Sequence, residues 1–115
     1  MLKIRKKKLE LLSPAGSFKC LTAAISAGCD AIYFGLKEFN MRDGASNFTI
    51  AELDMVSALC REANVKRYLT LNTIVYDEEI NQLEKTVRAV KGKVDAIICW
   101  DIAVIQLCNK YKIPF

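Results

Sequence analysis

The chain has 115 residues, of which 52% are hydrophobic and 26% are charged, with five cysteines, two prolines and no histidine. This length suits one small domain with a single core and is short of a complete eight-stranded barrel. The lack of histidine excludes Ser-His-Asp catalysis, Cys-His catalysis and histidine-ligated zinc within the chain.

The net charge of +4 is concentrated at the amino terminus. Residues 1–8 contain five basic side chains and no acidic one, which leaves 12 basic against 13 acidic side chains in residues 9–115. We therefore separate a basic leader, residues 1–8, from a nearly neutral body. Such a leader is typical of a solvated, frayed terminus. The alternative is a weak, salt-sensitive contact with nucleic acid or an anionic surface.

The cysteines are odd in number and form no CxxC pair: Cys20, Cys29, Cys60, Cys99 and Cys108. No secretory signal peptide precedes them, so we expect buried thiols in the reducing cytoplasm. No segment approaches the roughly 18 consecutive apolar residues that a membrane span requires. We expect neither a membrane span nor a metal site built from these five thiols.

Short apolar runs alternate along the chain with stretches of helical period. Residues 9–12 predict a first strand, which ends in a turn at 13–16 that contains Pro and Gly. A helix is expected over 18–27, with Gly28 where a helix commonly stops. Residues 31–35 are apolar throughout and predict a strand that is buried on both faces.

A long polar connection follows over 36–48, and Thr49 with Glu52 forms a capping box for the second helix. The third strand is predicted over 66–73. Asp77 is then expected to be the N-cap of the third helix.

The fourth strand is predicted over 94–100, Asp101 caps a fourth helix, and 112–115 resemble the opening of a fifth strand. This alternation predicts an α/β fold with a parallel sheet. The sheet could be a small open one or the first half of a TIM-like (β/α)₈ barrel. Since an independent domain rarely ends inside a strand, we expect residues 9–115 to form the amino-terminal half of a barrel.

Ligands of parallel α/β proteins bind at the carboxyl ends of the strands. The candidate residues at these ends and in the second connection are Ser13, Gly16, Gly35, Asn40, Arg42, Asn47, Asn72, Thr73 and Asp101. Asn72 and Thr73 are polar at the end of an apolar strand, where a buried amide needs a partner in the backbone or the substrate.

The other candidates each have a structural alternative. Gly16 could let the backbone approach an anion at a helix N-terminus, or could serve only its own turn. Arg42 could clamp a carboxylate or phosphate, or could pair with a neighbouring acidic residue. Helix capping is the expected role of Asp101, with substrate binding as the alternative. Tyr33 and Trp100 lie in predicted strands and are expected in the core.

Several strings together resemble peptidase family U32, the collagenase-like family. Residues 11–17 (LLSPAGS) and 28–35 (GCDAIYFG) resemble its opening motif, E-L-L-[AS]-P-A-G, then a helix, then G-A-D-A-V-Y-[LF]-G. Phe39, Arg42 and 47–49 resemble its Phe-x-x-Arg stretch followed by Asn-Phe-[ST]. The sequences at 71–73 and 94–98, followed by Asp101, are similar to its third and fourth strands.

The resemblance implies a TIM-barrel-like catalytic domain in a protein several times longer than this chain. Members of the family are described as proteases, including collagenolytic ones, and others take part in hydroxylation of tRNA or rRNA bases or of the ubiquinone ring. In the hydroxylating group, four cysteines further along the chain bind an iron–sulfur cluster. None of the five cysteines here matches those positions, so we expect no cofactor within this chain and a cluster only through cysteines beyond residue 115.

The resemblance carries substrate-site roles to Asn72, Asp101, Arg42, Asn47 and the turn at 13–16. We therefore expect the amino-terminal part of a U32-family protein that hydrolyses peptide bonds or, within the same family, supports hydroxylation of RNA bases or of ubiquinone. Its substrate would be a peptide, a protein or RNA, and its catalytic residues are unidentified. The alternative is a non-catalytic half-barrel that dimerises or pairs with a separate second half.

Overall fold

A computed structural model describes residues 8–37 and 47–115, in which β-strands alternate with α-helices. Two parts of the chain lie outside the described residues: residues 1–7 of the expected basic leader, and the part of the long connection that contains Asn40 and Arg42. The elements are β1 (Leu12–Pro14), α1 (Phe18–Ser26), β2 (Ala31–Gly35), α2 (Leu53–Glu62), β3 (Lys66–Leu71), α3 (Ile80–Val90), β4 (Ala96–Cys99) and α4 (Ile102–Tyr111). The predicted α/β class is confirmed.

The four strands form one parallel sheet in the order β1-β2-β3-β4. Tyr33 lies between Pro14 and Tyr68, and Tyr68 faces Ala96 across the next strand pair. Strands that neighbour one another in chain order, each followed by a helix, are arranged as in half of a TIM-like barrel. All carboxyl ends consequently meet at one edge of the sheet, which we call the carboxyl edge.

Local signals fix α1 and the strand before it. Ser17 is the N-cap of α1, and its hydroxyl accepts a hydrogen bond from the Cys20 N–H at 3.2 Å. The helix ends at Ser26, and two residues later the chain turns at Gly28, whose φ of +86° favours glycine. Pro14 is tolerated in β1 because the next N–H, that of Ala15, bonds to β2 through Tyr33, so the Pro14 nitrogen faces away from the ladder.

The first strand lies two to three residues later than the predicted 9–12. Asp30 explains the shift, because its carboxylate accepts the Leu11 N–H at 2.8 Å while its own N–H donates to the Leu11 carbonyl. These contacts between distant residues attach Leu11 to Asp30, the residue before β2. The parallel pairing of β1 with β2 therefore begins at Leu12. No local pattern could have shown them.

The helix starts agree only in part with the predicted caps. Glu52 Oε1 accepts the Thr49 N–H at 3.3 Å and the Thr49 hydroxyl at 2.9 Å, before a short 3₁₀ turn at Ile50–Glu52 that leads into α2. The predicted Asp77 cap is wrong. Tyr76 is the capping position, and its N–H donates to Glu79 at 2.9 Å, so Asp77 opens a 3₁₀ turn.

The predicted fifth strand is not formed as a regular strand, although residues 112–115 begin to align beside β4. The Ile97 N–H donates to the Pro114 carbonyl at 2.9 Å, and the Ile113 side chain is buried. The chain turns into this position through Lys112, whose φ is +56°.

The helices cover one face of the sheet, where the core lies. Alternate strand residues are buried there, among them Ile32, Phe34, Leu69, Leu71 and Ile97. Phe48 closes this core beside β2, with its ring edge-on to Phe18 and Phe34 at centroid distances of 5.1 and 5.6 Å. No helix in the described residues is long and apolar enough to cross a membrane.

The opposite face, which we call the concave face, is partly open. Leu12, Tyr33 and Ile98 expose 42%, 37% and 41% of their surface there. Tyr33 departs from the expectation that β2 is buried on both faces, whereas Ala31 and Gly35, which lie on the same side of the strand, are buried as expected. The Tyr68 hydroxyl on this face donates to the Glu10 carboxylate at 2.9 Å.

Candidate functional site

The carboxyl edge gathers two groups of polar residues. The first is a cavity of about 170 Å³ beside β1 and β2, which we call the β1–β2 pocket; it is lined by Gly16, Ser17, Phe18, Lys37, Asn47, Phe48 and Glu52. The pocket brings together two sequence candidates, Gly16 and Asn47, that are 31 positions apart in the chain. It adds Lys37 and Glu52, which the sequence did not single out as site residues.

Asn47 is held at the end of β2 by close packing. A Cβ atom at position 35 would lie 3.0 Å from Asn47 Oδ1 and 3.4 Å from Thr70 Oγ1, so Gly35 leaves the room that the amide occupies. The Thr70 hydroxyl donates to the Phe34 carbonyl at 3.0 Å. Backbone bonds between Phe48 and both Gly35 and Lys37 fix the returning chain beside β2.

The pocket carries both signs of charge. Lys37 supplies an exposed ammonium group, whereas the Glu52 carboxylate is held by Thr49. The Asn47 amide can donate and accept hydrogen bonds. A set of one cation, one amide and one carboxylate suits a ligand that itself has donors and acceptors, such as a peptide unit.

The second group lies at the ends of β3 and β4, and we call residues 72–76 and 100–102 the β3–β4 platform. Asp101 holds it together, because Oδ2 accepts the Val75 N–H at 3.0 Å while Oδ1 accepts the Ala103 N–H at 2.8 Å and caps α4. The indole N–H of Trp100 donates to the Asn72 carbonyl at 2.6 Å. The expected capping role of Asp101 is present, and the same carboxylate also ties two loops together.

Trp100 is not a core residue, contrary to expectation. Its side chain is 59% exposed, and it follows the last residue of β4 rather than lying within the strand. The alternation of β4 gives the physical reason, since Trp100 continues the series of Ala96 and Ile98 on the concave face.

Two candidates remain, one in the platform and one outside both groups. Thr73 belongs to the β3–β4 platform, where it is half-buried. Ser13 pairs in register with Ile32 on the helix side, its hydroxyl donates to the Pro14 carbonyl at 3.3 Å, and it does not line the β1–β2 pocket. Substrate roles for these residues, and for Arg42, remain predictions.

The cysteines form no metal site in the part of the chain that the structure describes. Residues 8–37 and 47–115 contain no group of three or more Cys, Asp or Glu side chains that could hold a metal ion. All five thiols are free. The described residues therefore do not bring together the thiolates that would hold an iron–sulfur cluster.

A larger cavity, of about 260 Å³, lies at the opposite, amino edge and is lined by Lys8, Leu9, Glu10, Asp30, Asn64 and Lys66. Size alone would favour it as the site. In parallel α/β folds, however, the loops at the carboxyl ends of the strands carry the ligand contacts, while the amino edge serves stability. We therefore assign the candidate site to the carboxyl edge.

Comparison with known proteins agrees with this architecture. The model of peptidase family U32 matches residues 16–115. The chain is 42% identical over 103 residues to a collagenase of Porphyromonas gingivalis and 44% identical over 103 residues to an uncharacterized protease of Methanocaldococcus jannaschii. It is 34% identical over 105 residues to tRNA hydroxylation protein P1 of Bacillus subtilis.

These matches cover 88%, 89% and 90% of this chain and 25% of each relative. The chain therefore spans about a quarter of the length of the curated relatives it matches. A solved structure of a U32 peptidase superposes with a TM-score of 0.70 at 10% sequence identity, over 94% of this chain and 47% of that one. This likeness shows the fold.

Proposed function

This chain belongs to peptidase family U32, and on that premise we propose that it forms the substrate-binding, amino-terminal half of a barrel in a peptidase that hydrolyses a protein substrate. The β1–β2 pocket would hold the peptide backbone, and the β3–β4 platform would contact side chains. The observation that carries the proposal is the convergence of Lys37, Asn47 and Glu52 at the carboxyl edge, where barrel enzymes bind their substrates.

The names of the relatives favour a protein substrate. The two relatives named as a collagenase and a protease share 42% and 44% identity with the chain, compared with 34% for the tRNA hydroxylation protein. The charge of the sequence after residue 8 agrees, since 12 basic side chains are balanced there by 13 acidic ones. A body of this kind gives little general attraction to a phosphate backbone.

The proposed role of this half is binding rather than bond cleavage. The chain has no histidine, and the Asp101 carboxylate is engaged by two backbone N–H groups. Asn47 and Lys37 could orient a substrate carbonyl, and Glu52 could accept a substrate N–H. The groups that activate a nucleophile would come from outside this half, because a barrel site takes residues from strands around the whole ring.

The experiment compares two exposed lysines at opposite edges, Lys37 and Lys66. The protein that carries this chain is assayed for cleavage of fluorescein-labelled gelatin, as wild type, Lys37→Ala and Lys66→Ala. We expect Lys37→Ala to lower kcat/KM about tenfold through loss of one charge-assisted contact, with Lys66→Ala within twofold of wild type. Absence of cleavage by wild type, or equal losses in both variants, would contradict the proposal.

RNA hydroxylation is the second candidate, and the similarity to the tRNA hydroxylation protein favours it. Under this alternative, deletion of the gene would remove a hydroxylated base from cellular tRNA or rRNA without affecting gelatin cleavage. Mass spectrometry of RNA nucleosides from deletion and wild-type cells decides between the two. Ubiquinone hydroxylation is tested in the same cells by quinone analysis.

We also propose that a second half-barrel covers the concave face of this one, because that face is partly open. Leu12, Tyr33 and Ile98 lose their exposure if strands close over that face. The covering half is either a later segment of a longer chain or a second copy. Analytical ultracentrifugation of the 115-residue chain separates these, because a self-paired half sediments as a dimer and a half that lacks its complement aggregates.

Localisation is part of the same proposal. All five cysteines are free thiols, and three of them are buried. Free thiols of this kind are typical of a reducing compartment, so we place the protein in the cytoplasm. Fractionation of source cells tests this directly.

A further inference from the structure

Exposed apolar residues flank, in sequence, both partners of the hydrogen bond between Asp101 and Val75. Ile74, Tyr76, Trp100 and Ile102 each expose between 56% and 70% of their surface. They belong to the segments that follow β3 and β4, with Ile102 as the first residue of α4, and the Val75–Asp101 bond of 3.0 Å and the Trp100–Asn72 bond of 2.6 Å join these segments. Single exposed apolar residues are ordinary, but four on two connected segments form a patch of the kind that binds a partner.

The Trp100 ring is oriented before any partner arrives. Its N–H is satisfied by the Asn72 carbonyl, so the indole keeps its polar atom bonded while its apolar surface faces solvent. A fixed aromatic ring costs little conformational entropy on binding, which is why tryptophan is enriched among residues that dominate binding energy.

Acidic side chains border the patch on one side. Asp77 and Glu78 follow Tyr76 directly and are exposed, and neither forms a salt bridge with any residue that the structure describes. Glu79, in contrast, is engaged by the Tyr76 N–H at 2.9 Å, which fixes the turn that presents the two free carboxylates. Two carboxylates beside an aromatic patch attract a cation and repel phosphate.

We propose that the β3–β4 platform, together with Asp77 and Glu78, binds a peptide segment in which an apolar side chain neighbours Lys or Arg. This rests on the proposed function and deepens it, because it names the sequence class of the protein substrate. The apolar side chain lies against Trp100 and Ile102, and the cation lies near the two carboxylates and the Tyr76 ring. An RNA strand would bring phosphates to the same carboxylates and is disfavoured.

Trp100 is the only tryptophan in the chain, so its fluorescence reports binding at the platform itself. The full chain is titrated with three capped peptides of equal length: one with adjacent Leu and Arg, one with Glu in place of Arg, and one with Ala in place of Leu. We expect a saturable blue shift with the Leu-Arg peptide. Binding of each of the other two should be about fivefold weaker or more.

Two charge-matched double variants test the acidic border. Asp77→Asn/Glu78→Gln should weaken binding of the Leu-Arg peptide about fivefold and leave the Leu-Glu peptide no weaker than before. The control, Asp54→Asn/Glu62→Gln, makes the same change in net charge on the exposed side of α2 and should stay within twofold of the unmodified chain. Equal losses in both variants would overturn the proposal.

The outcomes separate this inference from the proposed function. If gelatin is cleaved but the Arg and Glu peptides bind equally, the inference on sequence class is wrong and the peptidase proposal stands. If the Leu-Arg peptide binds with the expected preference but no protein is cleaved, the peptidase proposal fails alone. If oligouridylate shifts the Trp100 emission and the peptides do not, the platform binds RNA and both fail.

Discussion

The Asp101 carboxylate links the two loops of the platform, because one oxygen accepts the Val75 N–H at 3.0 Å while the other caps α4. Val75 lies after β3 and Asp101 lies after β4, so the contact spans the carboxyl ends of two parallel strands. A single side chain thereby fixes both the start of a helix and the separation of the two loops that carry the exposed aromatic residues.

Substitution of Asp101 is expected to destabilise the chain in graded steps. Asp101→Ala loses the cap and the loop contact and should lower the free energy of unfolding by about 2 kcal/mol. Asp101→Asn keeps one amide oxygen as an acceptor and should lose about 1 kcal/mol. Urea denaturation followed by circular dichroism measures both, and equal losses would show that only one of the two contacts matters.

Protonation of the Asp95 carboxylate should make the chain less stable in acid. Burial alone would raise its pKa, but the Arg67 side chain and backbone N–H hold the pKa of Asp95 below its ordinary value near 3.8. Because the folded-state pKa is depressed, the stabilisation is present above about pH 4 and is lost as the pH falls through the folded-state value.

Asp95→Asn tests this linkage. Arg67 is buried and also donates to Ser57, so the variant leaves its guanidinium with an uncompensated charge. We expect a loss of about 2 kcal/mol at pH 7, reduced from the cost of a fully buried pair because Asp95 is partly exposed. The difference from wild type should shrink as the pH falls below about 4, where Asp95 becomes protonated; a difference that stays constant on acidification would contradict the assignment.

A side chain at position 35 should destabilise the chain while Asn47 stays in place. A Cβ at position 35 would lie 3.0 Å from Asn47 Oδ1, and we expect Gly35→Ala to cost about 1–2 kcal/mol. The double variant Gly35→Ala/Asn47→Ala removes the clashing amide. It should recover part of that cost relative to Asn47→Ala, in a double-mutant cycle of unfolding free energies. Strict additivity of the two changes would exclude the close contact.

The cysteines should differ strongly in reactivity. Burial raises the pKa of Cys60 and of Cys108 to about 11, whereas Cys20 is exposed. Since the thiolate is the reacting form, iodoacetamide at pH 8 should label Cys20 first in the folded chain and all five cysteines in guanidinium chloride. Mass spectrometry of tryptic peptides checks the order; fast labelling of Cys60 would show that the helix side of the sheet is open.

Elements whose signals are local could be predicted from the sequence. The strand at Ala31–Gly35 has the predicted bounds, α1 begins at the predicted Phe18, and Asp101 caps α4 as expected. In each case the evidence lies within a few residues of the element: an apolar run, a glycine after the helix, or a carboxylate before it.

Features that depend on distant contacts could not be predicted. The position of β1 depends on Asp30, which holds Leu11 from 19 positions away. The β1–β2 pocket depends on the return of Asn47 and Phe48 beside β2, so the roles of Lys37 and Glu52 carried no sequence signal. Trp100 was misassigned because an apolar run does not show which face of its sheet is covered.

The claim that substrate binds at the carboxyl edge is tested most directly by NMR of ¹⁵N-labelled chain titrated with a gelatin peptide. We expect shift changes confined to the amides of the carboxyl edge, at residues 15–17, 35–37, 47–49, 72–76 and 100–103. Changes centred on the amino edge, at residues 8–10, 30 and 64–66, would contradict it and move the site to the larger cavity.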